Sequence, residues 1–139
     1  MRKKKIIIFG STGSIGKNTL KIINQDSNNF KIILLTTNKN INLLIRQAKK
    51  YNVKNIIITN YKKYLWVKRK HGKQFNIYND FKNLDKIVHT KVDYVMSAIT
   101  GIAGLEPTIN IIPLTLKIAI ANKESIICGW NLIKKKLLK

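Results

Sequence analysis

Lys5-Ile-Ile-Ile-Phe9-Gly10-Ser-Thr-Gly13-Ser-Ile-Gly16 stands near the start of the chain, and its reading decides the fold. Ile6–Phe9 is an unbroken apolar run, the pattern of a parallel strand buried on both faces. The glycines that follow, spaced by three, mark a tight turn opening onto a helix. That helix is expected from about Ser14 to Asn24, with Ile15, Thr19, Ile22 and Ile23 facing inward. The first turn of a helix carries unpaired N–H groups and partial positive charge, so it holds phosphate. Glycine lets the backbone approach a pyrophosphate, and the last glycine lets helix and strand pack closely. The spelling is G-x-x-G-x-x-G rather than G-x-G-x-x-G, so its weight comes from its place after a strand and before a helix. A P-loop is disfavoured, because Lys17 follows Gly16 without the G-x-x-x-x-G-K-[ST] spacing. A turn that binds nothing is the alternative on this pattern alone.

The next apolar run, Phe30-Lys-Ile-Ile-Leu-Leu-Thr36, reads as a second strand ending in Thr37-Asn38-Lys39-Asn40. An acidic residue near this point takes the ribose 2′-hydroxyl of NAD, whereas a basic neighbour accommodates a 2′-phosphate. No Asp or Glu occurs between Asp26 and Asp80, and Lys39 stands where a 2′-phosphate would lie. NADP(H) is therefore expected over NAD(H), the alternative being that Lys39 is one more surface lysine.

Outward from these two strands, strand-like and helix-like segments alternate. A helix is expected over Ile41–Lys50, with Ile41, Leu44, Ile45 and Ala48 on one side, then a strand over Asn55–Thr59. A basic helix follows over Tyr61–Lys70, with Tyr64, Leu65 and Lys68 on one side. His71–Thr90 is less legible, with a short edge strand near Phe75–Tyr78 and a loose helix near Leu84. Val92–Ser97 reads as a strand. Pro107–Leu116 reads as a helix disturbed by Pro113, Lys117–Ala121 as a strand and Glu124–Lys139 as a helix. No repeat or linker divides the chain, so one domain over 1–139 is expected. The alternation implies right-handed crossovers: an α/β, Rossmann-like, doubly wound and mainly parallel sheet with helices on both faces.

The 139 residues carry 27 basic and 6 acidic side chains, a formal charge of +21. Lysine supplies 24 of the 27 and is spread over every segment. Arginine, suited to bidentate recognition of phosphate and guanine, is scarce. Weak, salt-sensitive binding to polyanions follows, without specific nucleic-acid recognition. Cys128 is the only cysteine, so no intrachain disulfide or Cys/His zinc spacing exists. The apolar stretch after Arg2-Lys-Lys-Lys is too short for a signal peptide, and no run is long enough to span a membrane. A cytoplasmic protein is expected, or an organellar one if the source has a plastid.

Two further segments follow strands. Ala98-Ile-Thr-Gly101-Ile-Ala-Gly104-Leu-Glu-Pro107-Thr108 could pass close to a flat ligand or simply turn from strand to helix. Ala121-Asn122-Lys123-Glu124-Ser125 sits at the strand edge where α/β sheets bind ligands. It offers an amide, a cation and a carboxylate, though a polar helix start would look the same. A short-chain reductase would need a Tyr-x-x-x-Lys pair; Tyr64 and Lys68 have that spacing, too early in the fold.

Taken together, Gly10–Gly16 with Thr19-Leu20, Ala98–Thr108 and Ala119-Ile-Ala-Asn122-Lys-Glu-Ser-Ile-Ile-Cys-Gly129 resemble the 1-deoxy-D-xylulose 5-phosphate reductoisomerases, in order and at family spacing. The resemblance covers that family's N-terminal NADPH-binding domain. It implies conversion of 1-deoxy-D-xylulose 5-phosphate to 2-C-methyl-D-erythritol 4-phosphate with NADPH and Mg²⁺ or Mn²⁺, in non-mevalonate isoprenoid synthesis, by an enzyme that is usually a homodimer. Carried over by position, Thr12, Gly13, Ser14 and Ile15 should contact the cofactor phosphates and ribose. Asn38, Lys39 and Asn40 should meet the adenosine end, Asn122 and Glu124 should belong to the cofactor site, and Lys123 should touch the sugar phosphate.

Three departures bear on this. Asn38 stands where the family often has glycine, and Asn is expected to tolerate a left-handed backbone there. Leu116 replaces a glycine before the strand at Lys117. Family members are also far longer, with an Asp-Ser-Glu-His stretch and a further glutamate for the metal, a lid and a C-terminal helical domain. The acidic residues here show no metal-ligand clustering. The expectation is a chain that binds NADPH but does not complete the isomerisation alone, with no catalytic or metal-ligating residue of its own. An isolated NADP-binding module and a basic nucleic-acid-binding protein are the alternatives.

Overall fold

The computed structural model describes residues 2–139. Six strands form one parallel sheet in the order β4-β3-β2-β1-β5-β6. They are β1 (Lys4–Phe9), β2 (Phe30–Thr37), β3 (Asn55–Ile58), β4 (Asn76–Tyr78), β5 (Tyr94–Ser97) and β6 (Ile118–Ile120). Helices α1 (Ser14–Gln25), α2 (Ile41–Lys50), α3 (Tyr61–His71), α4 (Leu84–Ile87), α5 (Leu105–Ile111) and α6 (Lys123–Leu137) make the crossovers and close the chain. The chain steps outward from β1 to β4, then returns to place β5 on the other side of β1. The strand order therefore reverses between β1 and β5, the place where open α/β sheets bind ligands.

Alternation along the strands feeds two cores. Ile6, Ile8, Leu35 and Ile56 meet Leu20 and Ile23 of α1, Leu44 and Ala48 of α2 and Val67 of α3. Ile7, Phe9, Leu34 and Val95 meet Leu84 and Ile87 of α4, Ile111 of α5 and Phe81. Phe9 and Phe81 pack edge to face with centroids 5.1 Å apart. The register of β1 on β2 slips by one: Ile6 pairs with Ile32 but Ile7 with Leu34. Ile33 is thus an extra residue, a bulge that sends Ile32 and Leu34 into opposite cores. At the start of the sheet, Asp93 accepts two hydrogen bonds from the Arg2 guanidinium (2.8 and 3.1 Å) and one from Lys5 N–H (2.7 Å). The Arg2 guanidinium and then the Lys5 N–H hold the Asp93 carboxyl below the usual carboxylate range.

Three expectations need correction. In α1 the buried residues are Gly16, Leu20 and Ile23, while Ile15 and Ile22 are exposed. Gly16 must face the turn below it, and that rotates the inward stripe by one position. The helix expected over Pro107–Leu116 is α5, which starts earlier and ends at Ile111; Pro113 lies in a 3₁₀ turn over Ile112–Leu114. Among the described residues Asn52 alone of the non-glycines has positive φ. Asn38 therefore needs no left-handed backbone. Leu116 likewise causes no strain: its side chain is exposed and its N–H donates to Val92 O at 2.9 Å. The end of α2 accounts for Asn52, which follows the last turn as a left-handed cap.

Candidate cofactor site

The turn after β1 is built by close backbone approach. Gly10 has φ +76°, and a Cβ there would lie 2.8 Å from Ala98 O, so the turn presses against the loop leaving β5. A Cβ on Gly16 would lie 2.2 Å from Gly10 O and 2.6 Å from Ser11 Cα. Both glycines are fixed by the fold itself. Gly13 differs: its φ is −78°, and an added Cβ would meet only Gly10 O at an ordinary 3.5 Å. Nothing inside the protein requires glycine there.

Gly13 is also the N-cap of α1, and no side chain caps that helix. Asn40, Asn60 and Asn122 do cap α2, α3 and α6, accepting from Leu43, Lys63 and Ser125 N–H. The first-turn N–H groups of α1 therefore face the mouth of the turn. They supply donors and partial positive charge in a form suited to phosphate.

Neighbouring elements brace the turn. Thr36 Oγ1 accepts from Gly10 N–H at 2.9 Å, and Thr36 O accepts from Ser11 N–H at 3.0 Å. The Gln47 amide of α2 closes a buried ring on Ser11: its Oε1 accepts from Ser11 Oγ at 2.8 Å and its Nε2 donates to Ser11 O at 2.9 Å. Thr12 and Thr37 share a hydroxyl hydrogen bond of 2.6 Å. Thr36, Thr37, Ser11 and Gln47 escaped the sequence reading. A signal existed for three of them: Gln47 interrupts the apolar stripe of α2, and Thr36-Thr37 follows the apolar run Ile32–Leu35.

Beyond β2, Asn38, Lys39 and Asn40 are all exposed. Asn38 Nδ2 donates to Thr59 Oγ1 at 2.7 Å, tying this loop to the end of β3. Asn40 Oδ1 is engaged as the cap of α2, and the Lys39 ammonium stands in solvent beside these two anchored asparagines.

On the far side of the switch point, Asn122 is buried. Its Nδ2 donates to Ile99 O and Gly101 O, and its Oδ1 accepts from Ser125 N–H at 3.0 Å. That one amide ties the loop after β5 to α6. A Cβ on Gly104 would lie 2.7 Å from Asn122 Nδ2, so the clamp needs glycine at that point. Glu124 is half-buried in the first turn of α6, and Lys123 beside it is exposed. Ser125 Oγ is buried and has no hydrogen-bond partner among the described residues.

The fold thus gathers Thr12, Gly13, Ser14 and Ile15 after β1, Asn38–Asn40 after β2 and Asn122–Glu124 after β6, all at one edge of the sheet. Tyr64 and Lys68 are in contact, Nζ to OH 3.0 Å, but on the outer surface of α3. Among the described residues no group of three or more His, Cys, Asp or Glu could hold a metal, and no helix is long and apolar enough to cross a membrane.

A doubly wound parallel sheet with a glycine turn and an uncapped helix at its switch point defines the class: a Rossmann-like dinucleotide-binding domain. Comparison with known proteins carries this further. The chain belongs to the 1-deoxy-D-xylulose 5-phosphate reductoisomerase family, whose model matches residues 6–129. The reductoisomerase of Pelagibacter ubique is 58% identical over 98% of this chain, and that of a Thermoanaerobacter species 39% over 96%. In each case the chain spans 36% of the relative's own length. The reductoisomerase of Zymomonas mobilis solved in complex with NADPH superposes with a TM-score of 0.87 at 29% identity, over 99% of this chain and 37% of that one. A reductoisomerase solved with NADPH, fosmidomycin and magnesium gives 0.86 at 30%, over 97% and 34%.

Proposed function

We propose that this chain is the NADPH-binding part of a 1-deoxy-D-xylulose 5-phosphate reductoisomerase, serving the rearrangement and reduction of that sugar phosphate to 2-C-methyl-D-erythritol 4-phosphate. The observation that carries this reading is Gly13, a glycine the fold does not need, placed at an uncapped helix start. The pyrophosphate lies against the N–H groups of Ser14 and Ile15. Thr12, fixed by Thr37, lines the same mouth. The Lys39 ammonium attracts the 2′-phosphate, with Asn38 and Asn40 holding its loop in place. Asn122 positions the loop Ile99–Gly101 along the cofactor, Glu124 borders the site, and Lys123 reaches toward the phosphorylated substrate. Bound NADPH supplies the hydride for the reduction.

The relatives solved with magnesium support a divalent metal for the whole enzyme. The acidic residues of this chain do not fit such a seat, so the metal chemistry belongs to the part of family members beyond the matched third. Alone, the chain binds NADPH without turning over. The whole enzyme works as a homodimer in the cytoplasm.

Fluorescence titration with NADPH and NADH tests this. NADPH should bind the tighter, and Lys39→Gln should narrow the gap by about tenfold, the worth of one lost phosphate contact. Equal affinities for the two coenzymes, or a gap indifferent to Lys39, refute the assignment.

A further inference from the structure

A second concave site lies at the opposite edge of the sheet, where the strands begin. It is a cavity of about 510 Å³, inside the range of about 300–1,000 Å³ usual for small-ligand sites. Lys5, Lys31, Lys54 and Lys86 line it, and no Asp or Glu is among its described lining residues. Lysines are common in this chain, so their presence alone decides nothing. Convergence does. A cleft walled by one sign of charge concentrates its field, and the like charges repel until an anion fills it.

Its wall is also ordered. Lys5 Nζ donates to Thr90 Oγ1 at 2.7 Å, which leaves that fixed ammonium two N–H donors to spare. Asn55 Nδ2 donates to Ile33 O at 3.2 Å, and Asn76 Nδ2 donates to Asn55 Oδ1 at 3.1 Å. Asn76 N–H donates to Lys54 O at 2.8 Å, fixing the backbone that carries that lysine. Lys5 near the start of β1 and Gly10 just past its end are about 17 Å apart at the usual rise per residue. The cavity and the glycine turn can therefore be filled together.

We propose that this cavity is a separate binding site for a compact phosphorylated anion bearing more than one charge, held by Lys5, Lys31, Lys54 and Lys86. It stands independently of the coenzyme assignment.

Inorganic pyrophosphate is the probe, added to the isotope-labelled full chain and followed by NMR, with orthophosphate as the weaker arm. Saturable shifts at Lys54, Asn55 and Thr90 amides are expected, persisting at 0.15 M salt, where the screening length is about 8 Å. Replacing Lys31, Lys54 and Lys86 by Gln should weaken that binding roughly tenfold or more. Replacing Lys62, Lys63 and Lys70 of α3 by Gln removes the same charge elsewhere and should change it less than twofold. Shifts confined to Ser14 and Ile15, shifts spread evenly over the lysines, or equal losses in the two triple variants overturn the proposal.

Discussion

Gly13→Ser separates what the fold wants from what the ligand wants. The backbone there has φ −78° and ψ 176°, the extended geometry of an N-cap that serine adopts without strain. The nearest atom to a new Cβ is Gly10 O at 3.5 Å, so no neighbour has to move. The serine hydroxyl would accept from a first-turn N–H that no side chain now satisfies. Serine is the better N-cap than glycine by roughly a few tenths of a kcal/mol, and the loss of glycine's freedom in the unfolded chain adds about 0.4–1 kcal/mol. A gain near 1 kcal/mol raises the melting temperature of a chain this long by about 3–4 °C. The same hydroxyl occupies the donor that a phosphate would use. Losing one charge-assisted hydrogen bond costs about 1.5–3 kcal/mol, or roughly 10–100-fold in NADPH affinity. Urea unfolding and a fluorescence titration on one preparation give both numbers. A variant destabilised by about 1 kcal/mol or more would make Gly13 a structural glycine. Unchanged NADPH affinity in a stabilised variant would be as damaging, because the phosphate would then not use this mouth.

Three further outcomes follow from the same geometry. Gly16→Ala should cost about 3 kcal/mol in denaturant unfolding, because its Cβ falls 2.2 Å from Gly10 O and only backbone can yield; a loss below about 1 kcal/mol would mean that the turn is loose. Asn122→Ala should cost about 3 kcal/mol, since it strips partners from Ile99 O, Gly101 O and Ser125 N–H in a buried site. Asn122→Asp should not restore it, because a carboxylate cannot donate to the two carbonyls. The Asp93 carboxyl titrates below its ordinary 3.8 because Arg2 and then the Lys5 N–H hold its charged form. A depressed folded value means that this stability is present above 3.8 and is lost as pH falls through the folded value. Wild type and Arg2→Gln should therefore differ in melting temperature at pH 6 and converge once Asp93 is protonated; a constant gap would remove Asp93 as the cause.

The sheet was legible because parallel strands buried on both faces announce themselves as apolar runs, and Ile6–Phe9, Phe30–Thr36 and Asn55–Thr59 are such runs. The rotation of α1 was not, because apolar periodicity cannot tell that Gly16 must lie against Gly10 O and Ser11, a contact that only the folded turn creates. At the site, the glycine turn and the exposed Lys39 could be read from residue type and position. The role of Asn122 could not: its amide is engaged by Ile99, Gly101 and Ser125, and only the folded loops bring those groups to it. Gln47 is the converse case, a polar side chain inside an apolar stripe whose partner Ser11 lies 36 residues away in sequence.

The bulge at Ile33 has a consequence for how β2 can change over time. Facing alternates residue by residue along a strand, and the bulge absorbs one extra residue so that Ile7 still meets Leu34, and Ile8 Leu35, on a shared face. Deleting Ile33 would join Ile32 to Leu34, which already face opposite cores, and both oily layers would keep their residues. Thr36 and Thr37 would keep their directions, and the hydroxyl that holds Gly10 N–H would stay on it. The strand can therefore lose the one unpaired residue without turning the ligand mouth inside out, whereas a second extra residue would have no bulge to absorb it.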